Sequence, residues 1–251
     1  MKTLVLLSGG LKSCLLMSVA LKEHEGRHQE LGALFFEHGQ RNLIPEKTAA
    51  TRIANYHKTS IAFRELPKPH SPGWPPFKVT VMLSMAFQYA VEHKFDRIYW
   101  GVGPSNHPEC KFEYYELLTA LQYQALNKRT RSMHKIHQIE WEIPLIQLTL
   151  DQVVTLGISK QFMFNAPFEL AFDCLKPIAM AGGNGYLLCG TCAGCRNKRK
   201  AFHINGVPDP HDPIKSHTHY SLKYRSVDPE SGMGIDETDR EQDSVDGFGG
   251  L

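Results

Sequence analysis

No stretch of this sequence is apolar for the roughly 20 consecutive residues that a bilayer crossing takes, and no segment repeats. Charge of one sign is missing too. Its 28 Lys and Arg against 26 Asp and Glu leave a net charge of +2, which argues against the broad basic surface that wholesale nucleic-acid binding needs. The opening Met1-Lys2-Thr3 and the apolar Leu4 to Leu7 start like a secretion signal, but Ser8-Gly9-Gly10 ends the run before it reaches signal length, so the expectation is a soluble, cytoplasmic chain. Cysteine is scarce, with six residues at positions 14, 110, 174, 189, 192 and 195. A cytoplasmic chain would keep them reduced, which turns attention from disulfides to metal.

What is present can fill a core: 42% of the 251 residues are apolar, enough for one sizeable domain. That domain is expected over residues 1–226, with a cysteine knuckle at 174–203. From Val227 the chain becomes acidic and nearly free of large apolar side chains; residues 227–251 are expected to be a disordered tail, because such a composition cannot repay the entropy of ordering.

Leu4-Val5-Leu6-Leu7-Ser8-Gly9-Gly10-Leu11-Lys12-Ser13-Cys14 organises the rest. A short apolar strand breaks at Ser-Gly-Gly into a tight turn, and Leu15, Leu16, Val19 and Ala20 then follow helical spacing. A strand that feeds a helix through glycines offers free N–H groups and the positive end of the helix dipole at one point, which suits a phosphate. An ordinary strand-to-helix turn is the competing reading. A Walker P-loop is excluded by Leu11 directly before Lys12-Ser13, and the dinucleotide fingerprint by Ser13 where a third Gly would stand. What remains resembles the Ser-Gly-Gly-x-Asp-Ser loop of ATP pyrophosphatases, with Lys12 in place of the Asp.

Strands and helices alternate along the chain. Leu31 to Phe36, Ser60 to Phe63, Arg97 to Val102 and Ile139 to Ile143 read as further strands. A helix before Ser60 carries Glu46, Thr48, Arg52, Asn55 and Lys58 on its wet side and Ile44, Ala49, Ile53 and Ala54 on the other. Val79 to His93 reads as a largely buried helix, Phe112 to Asn127 as an amphipathic one, and Thr149 to Leu156 as a short one. Pro67 to Pro76 holds five prolines and can only be a loop. Alternation of this kind predicts an α/β fold: an open, parallel, five-stranded, Rossmann-like sheet with right-handed crossovers. The ligand crevice should then lie beyond the carboxyl ends of the strands, shared by the loops after strands one, two and four.

Cys189-Gly-Thr-Cys192-Ala-Gly-Cys195, with Cys174 fifteen positions upstream, has the spacing of a closed tetrahedral Zn²⁺ site of structural type. An iron–sulfur cluster and plain thiols are the alternatives. Arg196, Lys198, Arg199 and Lys200 follow on a helix and read as a solvated face; Cys14 and Cys110 read as small buried residues.

Taken together, Ser8-Gly9-Gly10 with Ser13, Gly39-Gln40-Arg41, Gly101-Val102, Pro108-Glu109-Cys110, Pro144-Leu145, and Cys174 with Cys189, Cys192 and Cys195 resemble the QueC family, the 7-cyano-7-deazaguanine synthases, in motif order over roughly residues 3 to 203. The resemblance implies an ATP-pyrophosphatase-type sheet, structural zinc, a homodimer, and ATP-dependent conversion of a 7-deazaguanine carboxylate to a nitrile with ammonia. It points to Ser8, Gly9, Gly10, Leu11, Lys12, Ser13, Gly39 and Gln40 as ATP-binding and to Lys12, Ser13, Arg41 and Lys78 as the reactive set. Whether Mg²⁺ accompanies ATP stays open.

Departures sit in the expected crevice: Lys12 for Asp, Glu37-His38 for Asp-Tyr, Lys78-Val79 for Arg-Asn, Leu150 for Lys, and a shortened Pro104-Ser105-Asn106 followed by His107 for Tyr. They suggest a paralogue with altered chemistry, of the kind found in bacterial antiviral defence clusters. Its acceptor is then ammonia or an amino group on a partner protein. A silent nucleotide- or deazapurine-binding sensor or scaffold is the second hypothesis, and a nucleic-acid contact through the knuckle a weaker third.

Overall fold

The structure is a computed structural model that describes residues 1–66, 78–103, 114–117, 119–121, 139–161, 164–180 and 185–211. The Pro67 to Pro76 loop, Cys110 and the acidic tail lie outside the described residues.

Five strands form one sheet: β1 (Thr3–Leu6), β2 (Leu31–Glu37), β3 (Ser60–Glu65), β4 (Arg97–Trp100) and β5 (Glu140–Glu142). All their pairings are parallel, in the order β3-β2-β1-β4-β5. The central strands β1 and β2 are apolar along most of their length, with Thr3 and Glu37 at their ends, because both faces are covered. Val5, Leu7, Ala33 and Phe35 pack into a core with the helices α1 (Leu11–Glu23), α2 (Leu43–Tyr56) and α4 (Leu150–Ile158). Leu4, Leu6, Leu34 and Phe36 point the other way, toward α3 (Lys78–His93), Tyr114 and Tyr115. This alternation is the two-residue period of a strand buried on both sides.

Beyond α4 a short hairpin, β6 (Ile178–Ala179) with β7 (Tyr186–Leu187), leads into α5 (Ala193–Ile204). Thr149 starts α4 with a capping box closed by Gln152, satisfying N–H groups that the helix cannot bond itself.

Three sequence expectations are corrected. In α2, Thr48 is buried, Glu46 is half-buried and Ile44 is exposed. Small Ala49 and Ala50 lie against the loop after β1, and this close approach turns Thr48 inward and Ile44 out. In α3 only Leu83, Ala86, Phe87 and Ala90 are buried, while Val81 is exposed; an outer-layer helix has one sheet face to cover, and these positions make one stripe. In α5 the basic run is not uniformly solvated. Lys198 is 2% exposed and ion-pairs with Asp209 at 3.4 Å, because a charge can be buried only with a partner.

His57 is buried against Ser18, its Nε2 3.2 Å from the hydroxyl, and burial, then the nearby His28, push its pKa down to about 4. An unfolded chain takes up this proton below about 6.5 and the folded chain does not. Stability is therefore complete above that pH and lost on the way down to about 4. Denaturant unfolding at pH 7 and pH 4.5 should show a loss of about 2 kcal/mol from this group.

Candidate functional site

The strand order reverses at β1, with β2 and β3 on one side and β4 and β5 on the other. The crevice for a ligand in such a sheet opens at this point. Ser8-Gly9-Gly10 lies there. Leu7 donates to the Leu34 carbonyl at 3.0 Å, Gly9 turns the chain with φ of 84°, and extended Gly10 caps α1. Ser13 Oγ donates to the Gly10 carbonyl at 3.0 Å and Ser8 Oγ lies 3.2 Å from Ser13 Oγ, so both hydroxyls hold the loop in shape.

Gly9 is needed twice over. Its φ is left-handed, which penalises any Cβ, and a side chain would put its first carbon 2.6 Å from the Glu46 carbonyl oxygen and 3.1 Å from the Ala50 nitrogen. That contact brings the start of α2 against the loop.

From the β4 side, Gly101 packs on the backbone of Lys12 and Ser13, and the Lys12 ammonium lies against Gly103, where a Cβ would be 2.0 Å away. From the β2 side, the Gln40 side chain ties its own turn together. It accepts from the His38 N–H at 2.7 Å and donates to the Phe36 carbonyl at 3.1 Å. Asn42 Nδ2 donates to Glu46 Oε1 at 3.2 Å. Burial raises the Glu46 carboxyl, a rise opposed by Gln40, Asn42 and Lys78 and reinforced by Asp173. Burial pushes Lys78 down to about 7 against the pull of Glu46. His38 falls to about 4 through burial and the Lys78 charge. Three titratable groups with displaced pKa values thus share one crevice beside the glycine loop, a pattern common at reactive sites.

Behind this crevice runs the segment leading into Cys174. Phe172 donates its N–H to the Gly9 carbonyl at 2.8 Å. Both Asp173 carboxylate oxygens accept from the Leu11 N–H, at 3.3 and 3.2 Å, and Asn42 Nδ2 donates to the Cys174 carbonyl at 2.9 Å. Asp173 thus supplies the α1 cap that Gly10 lacks. Burial raises its carboxyl, opposed by Lys198, the Leu11 N–H and Lys12. Gly194 of α5 lets the turn close, since a Cβ there would sit 1.9 Å from the Asp173 carbonyl oxygen.

Cys174, Cys189, Cys192 and Cys195 place their sulfurs within 4.8 Å of one another. Four thiolates about 2.3 Å from one tetrahedral ion would lie about 3.8 Å apart, so the pocket is sized for a single metal ion. Backbone N–H groups of Leu175, Cys189 and Cys192 point at Cys192, Cys174 and Cys189 sulfurs at 3.3 Å, and that of Cys195 at Cys192 at 3.5 Å. Such donors favour thiolates. At Cys189, burial pushes upward, but the N–H groups of Thr191 and Cys192 and the Thr191 hydroxyl overcome it and leave the thiol at about 6.

The structure therefore brings Ser8, Gly9, Gly10, Leu11, Lys12 and Ser13 together, with Gly39 and Gln40 in the segment after β2 and Lys78 at the start of α3. Arg41 is exposed and makes no hydrogen bond or ion pair among the described residues. Asp173, Asn42 and Glu46 were missed by sequence reasoning. A lone acid in the apolar stretch Ala171-Phe172-Asp173-Cys174-Leu175 was the available signal for the first. Gly9→Ala should destabilise the fold by about 3 kcal/mol, from left-handed strain plus the backbone clash, as read by urea unfolding.

The family model described as Queuosine biosynthesis protein QueC matches residues 67–206. A 7-cyano-7-deazaguanine synthase from Methylobacillus flagellatus is 30% identical over 234 residues, covering 83% of this chain and 94% of its own. One of the same name from Desulfatibacillum aliphaticivorans is 29% identical over 238 residues, with 83% and 95% covered. Among solved structures, the U34-tRNA thiolase NcsA from Methanococcus maripaludis, with its 4Fe-4S cluster, aligns over 67% of this chain and 61% of its own. That alignment is 15% identical with a TM-score of 0.41. With its Ser-Gly-Gly loop at the sheet's switch point and the match covering residues 67–206, the chain belongs to the QueC family.

Proposed function

We propose that this chain spends ATP to activate the carboxyl group of a 7-deazaguanine-type acid for attack by a nitrogen nucleophile, ammonia or an amino group on a partner protein. The observation that carries the reading is the Ser8-Gly9-Gly10 loop at the carboxyl end of β1, where strand order reverses, leading directly into Lys12.

A carboxylate resists nucleophiles until one oxygen becomes a leaving group. Attack of that oxygen on the α-phosphorus of ATP breaks the bond to pyrophosphate and forms an acyl adenylate. Backbone N–H groups at the start of α1 and the Lys12 point charge suit the departing pyrophosphate. Nitrogen then attacks the acyl carbon, AMP leaves, and a proton must be removed from the new ammonium. Lys78, pushed down to about 7 by burial, is matched to that task. Lys78→Met should lower kcat by about a hundredfold and remove the rise of rate through neutral pH. Incubation with ATP, 7-carboxy-7-deazaguanine and an ammonium salt, or a protein amine, should release pyrophosphate and AMP.

One set of residues favours a second reading, a binding module that does not turn over. Lys12 and Val79 replace polar or acidic family positions, and Leu150 packs on the core where a Lys is expected. Nucleotide binding by calorimetry with no product from any acceptor would establish it.

The four cysteines are assigned to structural Zn²⁺. Cys174, Cys189, Cys192 and Cys195 would fill all four positions of a tetrahedral ion and leave it no open site for chemistry, so it would supply cross-linking alone. Elemental analysis should return about one zinc per chain, and Cys192→Ser should lose it together with thermal stability. Iron with a visible cluster chromophore would refute the assignment.

A further inference from the structure

We infer that the Asp173 carboxylate is the resident anion of the glycine loop, occupying the α1 N-terminus where a nucleotide phosphate would bind, and that it must be displaced for the phosphate to enter. This rests on the phosphate-binding role proposed above for Ser8-Gly9-Gly10.

Three observations support it. Both carboxylate oxygens converge on the Leu11 N–H, the first of α1, a donor of the kind that anions seek at a helix start. Asp173 Oδ1 also reaches across Gly10, lying 2.8 Å from where a Gly10 Cβ would be. Finally, the carboxylate is delivered by a backbone with little freedom to withdraw. Phe172 is bonded to Gly9, the Cys174 carbonyl to Asn42, and the Asp173 carbonyl packs on Gly194. Entry of a phosphate therefore turns on rotation of the Asp173 side chain.

A carboxylate and a phosphate oxygen cannot share one N–H, and two anions at van der Waals distance repel. Lys12 and Lys198 are both within electrostatic reach of Asp173. The physical consequence is a penalty on apparent affinity, because only the swung-out fraction of molecules is competent to bind.

Calorimetric titration of the full, metal-loaded chain with pyrophosphate tests this. Asp173→Asn keeps an oxygen for the Leu11 N–H and removes the charge; Asp173→Ser vacates the loop. Both should bind pyrophosphate about tenfold more tightly than the natural chain, with zinc content and melting temperature measured alongside to identify a misfolded variant. In the natural chain, saturating pyrophosphate should shift the NMR resonance of the Asp173 carboxyl carbon, a readout that needs no substitution. Unchanged or weaker binding by folded variants, or a carboxyl resonance that stays still at saturation, would overturn the inference. Lys12→Ala separates the two levels: weakened pyrophosphate binding in Lys12→Ala without tightening in the Asp173 variants defeats the displacement alone. Equal pyrophosphate affinity in Lys12→Ala and the natural chain defeats the phosphate role itself.

Discussion

The stitching of residues 172–174 to the loop after β1 and to the start of α2 holds the candidate site in place. Three contacts make it: Phe172 to the Gly9 carbonyl, Asp173 to the Leu11 N–H, and Asn42 to the Cys174 carbonyl. Each hydrogen bond is worth only about 1 kcal/mol net, so the three together would not hold a free segment of chain against its conformational entropy. The segment is not free. It ends at Cys174, one of four cysteines whose sulfurs are close enough together to hold one ion, and a metal bound there would contribute on the order of 10 kcal/mol. Such an ion would back the weak bonds at the glycine loop with strong ones at the sulfurs.

Charge is distributed with similar economy. The chain's net charge is small, yet the crevice holds alternating signs: Lys78 beside Glu46, Glu46 and Lys12 near Asp173, Asp173 near Lys198, and Lys198 paired with Asp209. Buried ions of one sign would be prohibitive without these neighbours. Lys198 also donates to His211 Nδ1 at 3.0 Å, which fits a ring that gives its Nε2 proton to the Glu169 carbonyl at 2.8 Å. Lys12 falls within this network, so a change of sign at position 12 would be felt at Asp173.

Much of the architecture was legible beforehand because it rests on short-range pattern. The strands Leu31 to Phe36 and Arg97 to Val102 were readable from unbroken apolar runs between turn residues, and they appear as β2 and β4 within one or two residues of their expected ends. The thiolate cluster was readable from spacing alone, since two intervening residues place successive cysteines around one point. The failures were of rotation and partnership. The inner face of α2 was misjudged at Thr48 and Ile44 because both faces carry small or mixed residues, and only the approach of Gly9 decides which one turns in.

What the amino-acid sequence determined by itself was the alternation of strands and helices, the break at Ser8-Gly9-Gly10 and the four-thiolate spacing, all set by local backbone preference and the period of apolar residues. Tertiary structure alone decided that Asp173 would cap a helix 162 residues earlier in the chain, that Lys198 would be buried, and that Glu46 and Lys78 would meet beside the loop. The reason is that a charged side chain's position depends on which distant groups can compensate its loss of water, and no local window of sequence contains them.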